Sequence, residues 1–319
     1  MKGSALWDRT EPAHPASHGR TVSGSQGRRA AAIPASHAYC YGDPVETTPA
    51  SETIHIDGIR LHAEWRGTPQ PGRPVLVFLH DGLGSLEALR QFPDRMRDAT
   101  GLCAFAYDRW GYGRSDERPA FPPDFMEQEA ARLPLVLNAA GIADYILIGH
   151  SAGAVIALMH AANLSANLSA TQPATQPATR PAGMRAAVII SARVFGEQAS
   201  VDQVEHFLKL ARDNEIPEWM VRYHGARARR LMGDWAAAWR GIFERGWDIR
   251  ATVASIRPPL CVLQGEDDDF GRPVQLDAIA RAVPHAESTL LPGCAHFPHL
   301  DKPDEVVALV ADFVRRHAG

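Results

Sequence analysis

Three kinds of residue, far apart in this chain, could together perform nucleophilic chemistry. Ser151 sits in Gly149-His150-Ser151-Ala152-Gly153, His296 in Gly293-Cys294-Ala295-His296-Phe297-Pro298-His299, and a run of carboxylates, Glu266-Asp267-Asp268-Asp269, lies between them. A serine hydroxyl is a weak nucleophile until a base takes its proton, and the base needs an acid to fix its tautomer. Ser151, His296 and one aspartate would fill those roles. Spacing alone accepts Asp267, Asp268 or Asp269, and like charges this close disfavour burying more than one. His299 neighbours His296 in sequence, but Phe297-Pro298 makes it a loop residue.

The flanking segments say how such residues would be held. Tyr145 to Ile148 is a short apolar run, and a helix-compatible segment follows the serine at once. A strand, a sharp turn and a helix would lift the Ser151 hydroxyl out of a sheet edge, with a strained backbone at the serine and little bulk at Gly149 and Gly153. The N–H of Ala152, opening the helix, would then point at whatever Ser151 attacks. The acidic run follows the apolar strand Leu260 to Gln264, and the histidine loop follows a short strand, Ser288 to Leu291. Strand ends are where open α/β sheets place their ligands.

The remaining chain fits that frame. Thr53 to Ile56 and Ile59 to Trp65 alternate across Asp57-Gly58, a hairpin pattern. Val75 to Leu79 is continuously apolar, as in a strand covered on both faces. It ends in His80-Asp81-Gly82-Leu83-Gly84-Ser85, with a helix expected over 87–97. Leu102 to Tyr107 leads into Asp108-Arg109-Trp110-Gly111-Tyr112-Gly113-Arg114-Ser115, and a helix is expected over 125–140. Strands alternating with helices across short joins predict an α/β fold: a mostly parallel central sheet with helices on both faces. Ala186 to Ile190 continues the sheet, 193–255 turns to a helical period that would make a lid, and helices over 274–282 and 304–315 complete the order. Residues 51–192 and 256–319 form the expected body. Residues 1–50, rich in Gly, Ser, Pro, Ala and His, read as a disordered extension, and 163–183, with NLSANLSA and TQPATQPATRPA, as a low-complexity surface loop.

Composition narrows the partners. The formal charge of -4 and pI near 6.4 give no electrostatic case for nucleic acid or an anionic membrane. The local basic set Arg222, Arg227, Arg229 and Arg230 reads as a solvated helix face. Four cysteines, Cys40, Cys103, Cys261 and Cys294, are too scattered for a disulfide or zinc framework; Cys103 and Cys261 lie in strand-like runs and read as buried thiols. No apolar stretch approaches the about eighteen residues of a membrane span, and no signal-peptide pattern is seen. The expectation is a cytoplasmic protein acting on a small molecule, without cofactor or metal, as a monomer or homodimer.

From about Thr53 onward these motifs resemble the α/β-hydrolase superfamily, and within it the lidded small-molecule serine esterases and C–C hydrolases. His80-Asp81-Gly82-Leu83-Gly84-Ser85 is similar to the family's oxyanion loop, with Asp81 where glycine is usual. Asp108 to Ser115 is similar to its DxRGxGxS stretch with Trp110 added. Gly293, His296 and Pro303 match its histidine motif. The resemblance implies the chain order Ser, Asp, His, puts the acid on Asp268, and implies oxyanion donors at Gly82 and Ala152. His80, Asp81, Leu83, Trp110, His150, Trp239 and Phe297 are candidate pocket residues, although His80 and His150 read first as structural. The implied activity is hydrolysis of an ester, thioester or lactone of a small apolar or aromatic acid. A C–C hydrolase of dicarbonyl compounds, marked by a buried Arg or Asn beside Ser151, is the second reading; a non-catalytic binding protein on the same scaffold is the third.

Overall fold

The computed structural model describes residues 49–171 and 183–319, with side-chain surroundings described through residue 166 of the first stretch. The chain opens with β1 (Ala50–Ile56) and β2 (Ile59–Arg66), paired antiparallel in the register Ile56 to Ile59. Asp57 (φ 51°) and Gly58 (φ 78°) both occupy the left-handed region that a two-residue hairpin turn demands. β3 (Val75–Leu79) is buried along its whole length, as its unbroken apolar run predicts. α1 (Phe92–Thr100), β4 (Ala104–Tyr107), α2 (Phe125–Ala139), β5 (Tyr145–His150) and α3 (Ala152–Thr171) follow.

β6 (Met184–Ile190) leads into four helices, α4 (Gln198–Asp213), α5 (Glu218–His224), α6 (Ala228–Glu244) and α7 (Arg250–Val253). The sheet resumes with β7 (Leu260–Gly265), α8 (Pro273–Ala282), β8 (Glu287–Leu291), a short α9 (Pro298–Asp301) and α10 (Pro303–His317). The eight strands lie in the order β1-β2-β4-β3-β5-β6-β7-β8, antiparallel across β1-β2-β4 and parallel from β4 to β8. β3 pairs with β4 on one side and β5 on the other. The loops leaving β3 and β5 therefore diverge, the kind of switch point at which open α/β sheets bind their ligands. One face of the sheet is closed by Phe92 and Met96 of α1 and Val310, Phe313 and Val314 of α10, packed on Leu76, Phe78, Ile146 and Val188.

Two expectations are corrected. The helix expected over 87–97 is split into a 3-10 turn, Leu86–Leu89, and α1 starting at Phe92, with Arg90 between them at φ 51°. Pro93 explains the break, since proline is tolerated in a first helical turn and not inside a helix. The segment expected as a loop over 163–183 is helical to Thr171, because α3 runs through NLSANLSA. A four-residue repeat is close to one helical turn, and the first proline comes only at Pro173. Ser165 is tied in by donating to the Ala161 carbonyl at 2.8 Å and accepting from the Arg257 N–H at 3.0 Å. The expected extension over 1–50 lies, apart from its last two residues, outside the described residues, as does 172–182. Among the described residues no helix is long and apolar enough to cross a membrane.

Candidate active site

Ser151 stands between β5 and α3 with φ 53°, a left-handed conformation costly for a residue with a side chain. The turn is held by the Ser151 N–H donating to Ile190 of β6 at 2.9 Å. A side chain on Gly149 would run into the Gly153 carbonyl, and one on Gly153 into the Leu79 carbonyl, so strand β3 and the turn approach as closely as backbones can. The two glycines serve that approach.

His296 follows β8 and Asp268 follows β7, and the fold brings both to the serine. Ser151 Oγ is 2.9 Å from His296 Nε2; His296 Nδ1 is 2.9 Å and 3.0 Å from the two oxygens of Asp268. The carboxylate can only accept, so Nδ1 carries the proton and Nε2 is left to accept from the serine hydroxyl. All three side chains are buried, whereas Glu266, Asp267 and Asp269 are exposed, which settles the acid as Asp268. Burial pushes the Asp268 carboxyl up, but the charge and hydrogen bond of His296, with the N–H groups of Gly271 and Phe270, outweigh it and hold the pKa below the ordinary value.

The loop after β3 is held by neutral imidazoles. His80 is fully buried; its Nδ1–H donates to the Asp81 carbonyl at 2.8 Å, and its Nε2 accepts the Arg109 N–H at 3.2 Å. Burial, then the Arg109 charge, drive its pKa well below the usual histidine value. Asp81 turns back on its own loop, Oδ1 accepting from the Leu83 N–H at 3.0 Å. The Leu83 N–H is thereby occupied. Asp108 performs a similar task one loop away, accepting the N–H groups of Leu86 at 2.7 Å and Arg114 at 2.8 Å. His150 donates Nε2–H to the His296 carbonyl at 2.8 Å, and burial lowers its pKa to about 4. It anchors the base's loop and shares a ring cluster with Phe297 and His299.

Not every expected residue comes to this cluster. Trp110 donates its indole N–H to the Glu117 carbonyl and lies under the guanidinium groups of Arg118 and Arg132, at 4.9 and 5.0 Å. Trp239 is fully buried within the insertion, edge-on to Phe125 and Trp247.

Others join that the sequence reading did not single out. Phe270 stacks on His296 with ring centres 4.5 Å apart, Phe207 meets both Phe270 and Trp235, and a Cβ on Gly82 would stand 2.5 Å from Trp235 Cζ2. An aromatic wall thus runs from the base to the loop after β3. His224 of α5 donates Nε2–H to the Leu83 carbonyl at 2.8 Å and accepts the Gly113 N–H at 3.1 Å, joining the insertion to both loops. Arg227 donates to the carbonyls of Ser115 and Gly113, so this member of the expected solvated basic set is bonded to the body. The signal for Phe270 was its place in the acid loop; His224 gave none, because a lone histidine in a helix has no period.

A nucleophile on a strained turn, a base and a buried acid on the ends of parallel strands define a serine hydrolase of the α/β kind. The chain belongs to the alpha/beta hydrolase family, whose model matches residues 76–309. It is 29% identical over 68 residues to a pimeloyl-[acyl-carrier protein] methyl ester esterase of Nitrosospira multiformis; that match spans 21% of this chain and only 26% of the esterase. Among solved structures it is similar to MGS-M2, an alpha/beta hydrolase enzyme from a Medee basin deep-sea metagenome library, at TM-score 0.65 and 18% identity over 82% of this chain and 96% of that one. The enol-lactonase from Burkholderia xenovorans LB400 superposes at TM-score 0.62 and 18% identity over 82% of this chain and 99% of its own. These likenesses concern the fold.

Proposed function

We propose that the protein hydrolyses an ester, thioester or lactone of a small apolar or aromatic acid through an acyl-enzyme. The observation that carries this reading is the unbroken chain from Ser151 Oγ through His296 to buried Asp268. Ser151 attacks the carbonyl carbon as its proton passes to His296 Nε2, and Asp268 stabilises the resulting imidazolium. The tetrahedral oxyanion accepts from the N–H groups of Ala152 and Gly82. Ala152 begins α3 and has an N–H the helix cannot use, and Leu83, the neighbouring donor, is taken by Asp81. Each donor is worth about 3–4 kcal/mol in the transition state. His296 then returns the proton to the leaving oxygen or sulfur, and water enters by the reverse route to release the acid.

Residues 193–255 serve as a lid over a body of 51–192 and 256–319, the contact of Trp235 with Gly82 and the His224 bridge supporting that division. The aromatic wall of Phe207, Trp235 and Phe270 suits an apolar or aromatic acyl group. The esterase and enol-lactonase named above give the ester and lactone readings company in kind. C–C hydrolysis is the second reading: Arg109 and Arg193 are buried near the site, but no arginine or asparagine hydrogen-bonds to Ser151 among the described residues. Buried free thiols at Cys103, Cys261 and Cys294 support a reducing, cytoplasmic setting. The test is labelling by a fluorophosphonate, with a panel of short and aromatic esters. Labelling at Ser151 and turnover of at least one ester are expected, and an unlabelled, folded protein would sink the proposal.

A further inference from the structure

Two buried arginines stand near the site without an acidic partner, and they are built differently. Arg109 is fully enclosed: Nη2 donates to the Asp81 carbonyl at 2.6 Å, Nε and Nη1 are sealed without partners, and the group lies 4.4 Å from the Tyr112 ring centre. It is a prop beneath the oxyanion loop. Arg193 follows β6, three residues past its end, and is 4% exposed. It makes no hydrogen bond or ion pair with any described residue, yet none of its nitrogens is among the sealed unpartnered atoms.

Its surroundings locate it. A Cβ on Gly271, whose N–H binds the Asp268 carboxylate, would sit 3.2 Å from Arg193 Cγ, so the stem passes beside the triad's acid loop. Its guanidinium carbon lies 5.2 Å from the ring centre of Trp239 and 5.8 Å from that of Phe243, both on α6. Neither of the two nearby carboxylates hydrogen-bonds to Arg193. Asp268 holds His296, Gln264 and two backbone N–H groups; Glu197 accepts from the Arg272 N–H at 3.1 Å and the Gln275 amide at 2.9 Å. Burial lowers the Arg193 pKa to about 10, with Asp268 and Glu197 acting the other way, so the group is a cation at neutral pH. The indole N–H groups of Trp239, beside it, and of Trp235, one turn earlier on α6, are sealed without acceptors, and Trp235 reaches Gly82.

A buried cation without hydrogen bonds is costly unless an anion completes it. Resting on the serine-hydrolase reading above, we propose that Arg193 binds a carboxylate on the substrate's acyl part, so that the preferred substrates are monoesters of dicarboxylic acids. Arg193 is then a specificity-determining residue. It takes no part in bond making.

The test compares 4-nitrophenyl monoesters of succinic, glutaric and adipic acid with the same esters carrying a methyl group on the far carboxyl. For at least one chain length the free acid should exceed its methyl-blocked twin by about tenfold or more in kcat/KM, through KM, as a charge-assisted hydrogen bond out of water implies. Arg193→Met should erase that preference while changing the blocked ester by less than about threefold, and Arg193→Lys should keep part of it. No preference at any length, or an equal loss on both esters in Arg193→Met, overturns the proposal. Should Arg193→Met not fold, inhibition of the unaltered protein decides: free glutarate or adipate should compete with 4-nitrophenyl butyrate and the corresponding diamides should not. Failure of both dicarboxylates to compete also overturns it. Fluorophosphonate labelling of Ser151 separates the two readings: labelling without acid preference removes only the role of Arg193. Absence of labelling and of turnover removes the hydrolase, and calorimetric titration with glutarate and adipate then still tests the anion site.

Discussion

The triad end of the sheet and the helical insertion above it are finished to different degrees. At the sheet end the reacting groups are already wired: Ser151, His296 and Asp268 share one line of hydrogen bonds, and His80 and His150 hold the adjoining loops as neutral imidazoles. Beneath the insertion, Arg193 and the indoles of Trp235 and Trp239 offer donors that no described residue accepts. The difference separates two jobs. Chemistry is preorganised by the strand ends, which cannot move without breaking the sheet, whereas recognition is left for a ligand to complete.

The largest effect should come from breaking the wired end. Asp268→Asn should lower kcat by roughly 10³ to 10⁴, the size of loss that the same change causes in a serine protease, because the amide favours the wrong imidazole tautomer. Asp267→Asn and Asp269→Asn should each cost less than about tenfold, since both carboxylates are exposed and neither bonds to His296. Steady-state kinetics on the three variants checks this. A near-normal Asp268→Asn would mean the buried contact is not the catalytic one.

The seam between the two regions comes next. His224→Ala leaves the Leu83 carbonyl and Gly113 N–H without their partner, a cost of about 1–3 kcal/mol in stability. Because Leu83 follows Gly82, kcat/KM should also fall by about tenfold or more, as small misplacements of positioning groups do. Thermal melting and kinetics should move together. A lowered melting temperature with unchanged kcat/KM would reduce His224 to a structural tie.

What is legible in the sequence follows the same division. The sheet, its turns and the triad can be read because each leaves a local mark: the covered runs of β3 and β5, the glycines flanking Ser151, the carboxylates and His296 placed after strands. The aspartate is not separable by spacing alone; burial of Asp268 beside His296 separates it. The insertion's helices are visible by period, but which residues they carry to the site depends on docking between elements remote in sequence. Trp235 and Trp239 are one turn apart on α6, and only the fold shows that Trp235 meets Gly82 while Trp239 is packed behind it. The Asn163–Thr171 stretch reads wrongly as loop because its four-residue period runs on into a second one that is rich in proline.

A smaller, graded effect should appear with pH. Burial, the largest influence on each, holds His80, His150, His160, His224 and His299 below their ordinary 6.5, with about 4 for His150, His160 and His224. A depressed histidine binds fewer protons folded than unfolded, so stability is full above 6.5 and falls as pH drops toward 4. Each such group contributes a slope of up to ~1.4 kcal/mol per pH unit within that window. Asp268, also lowered, loses its contribution only as pH falls through the carboxylate range. Melting temperature should therefore decline from pH 7 to pH 5, before carboxylates titrate. A flat profile there would show that these imidazoles are accessible to protons in the folded state.

The smallest effect is expected at Trp110, and it tests where the site ends. The family-like loop Asp108 to Ser115 made this residue a candidate for the pocket, yet its indole N–H is bonded to Glu117 and its ring lies against Arg118 and Arg132. Those contacts brace the loop on the side of α2, through Arg132 of that helix and the Arg118 to Glu129 ion pair. Loop geometry around Asp108 rests on other groups, the N–H donors of Leu86 and Arg114 and the Ser115 hydroxyl bonded to its carbonyl. Trp110→Ala should thus remove two cation–π contacts, one to buried Arg118 and one to half-buried Arg132, about 0.5–2 kcal/mol each, and lower the melting temperature. Because neither the triad nor the aromatic wall touches it, kcat/KM should stay within about threefold of the parent on every ester tested. A tenfold loss confined to one class of ester would put Trp110 in the pocket after all, and would extend the recognition surface from the insertion onto the loop that follows β4.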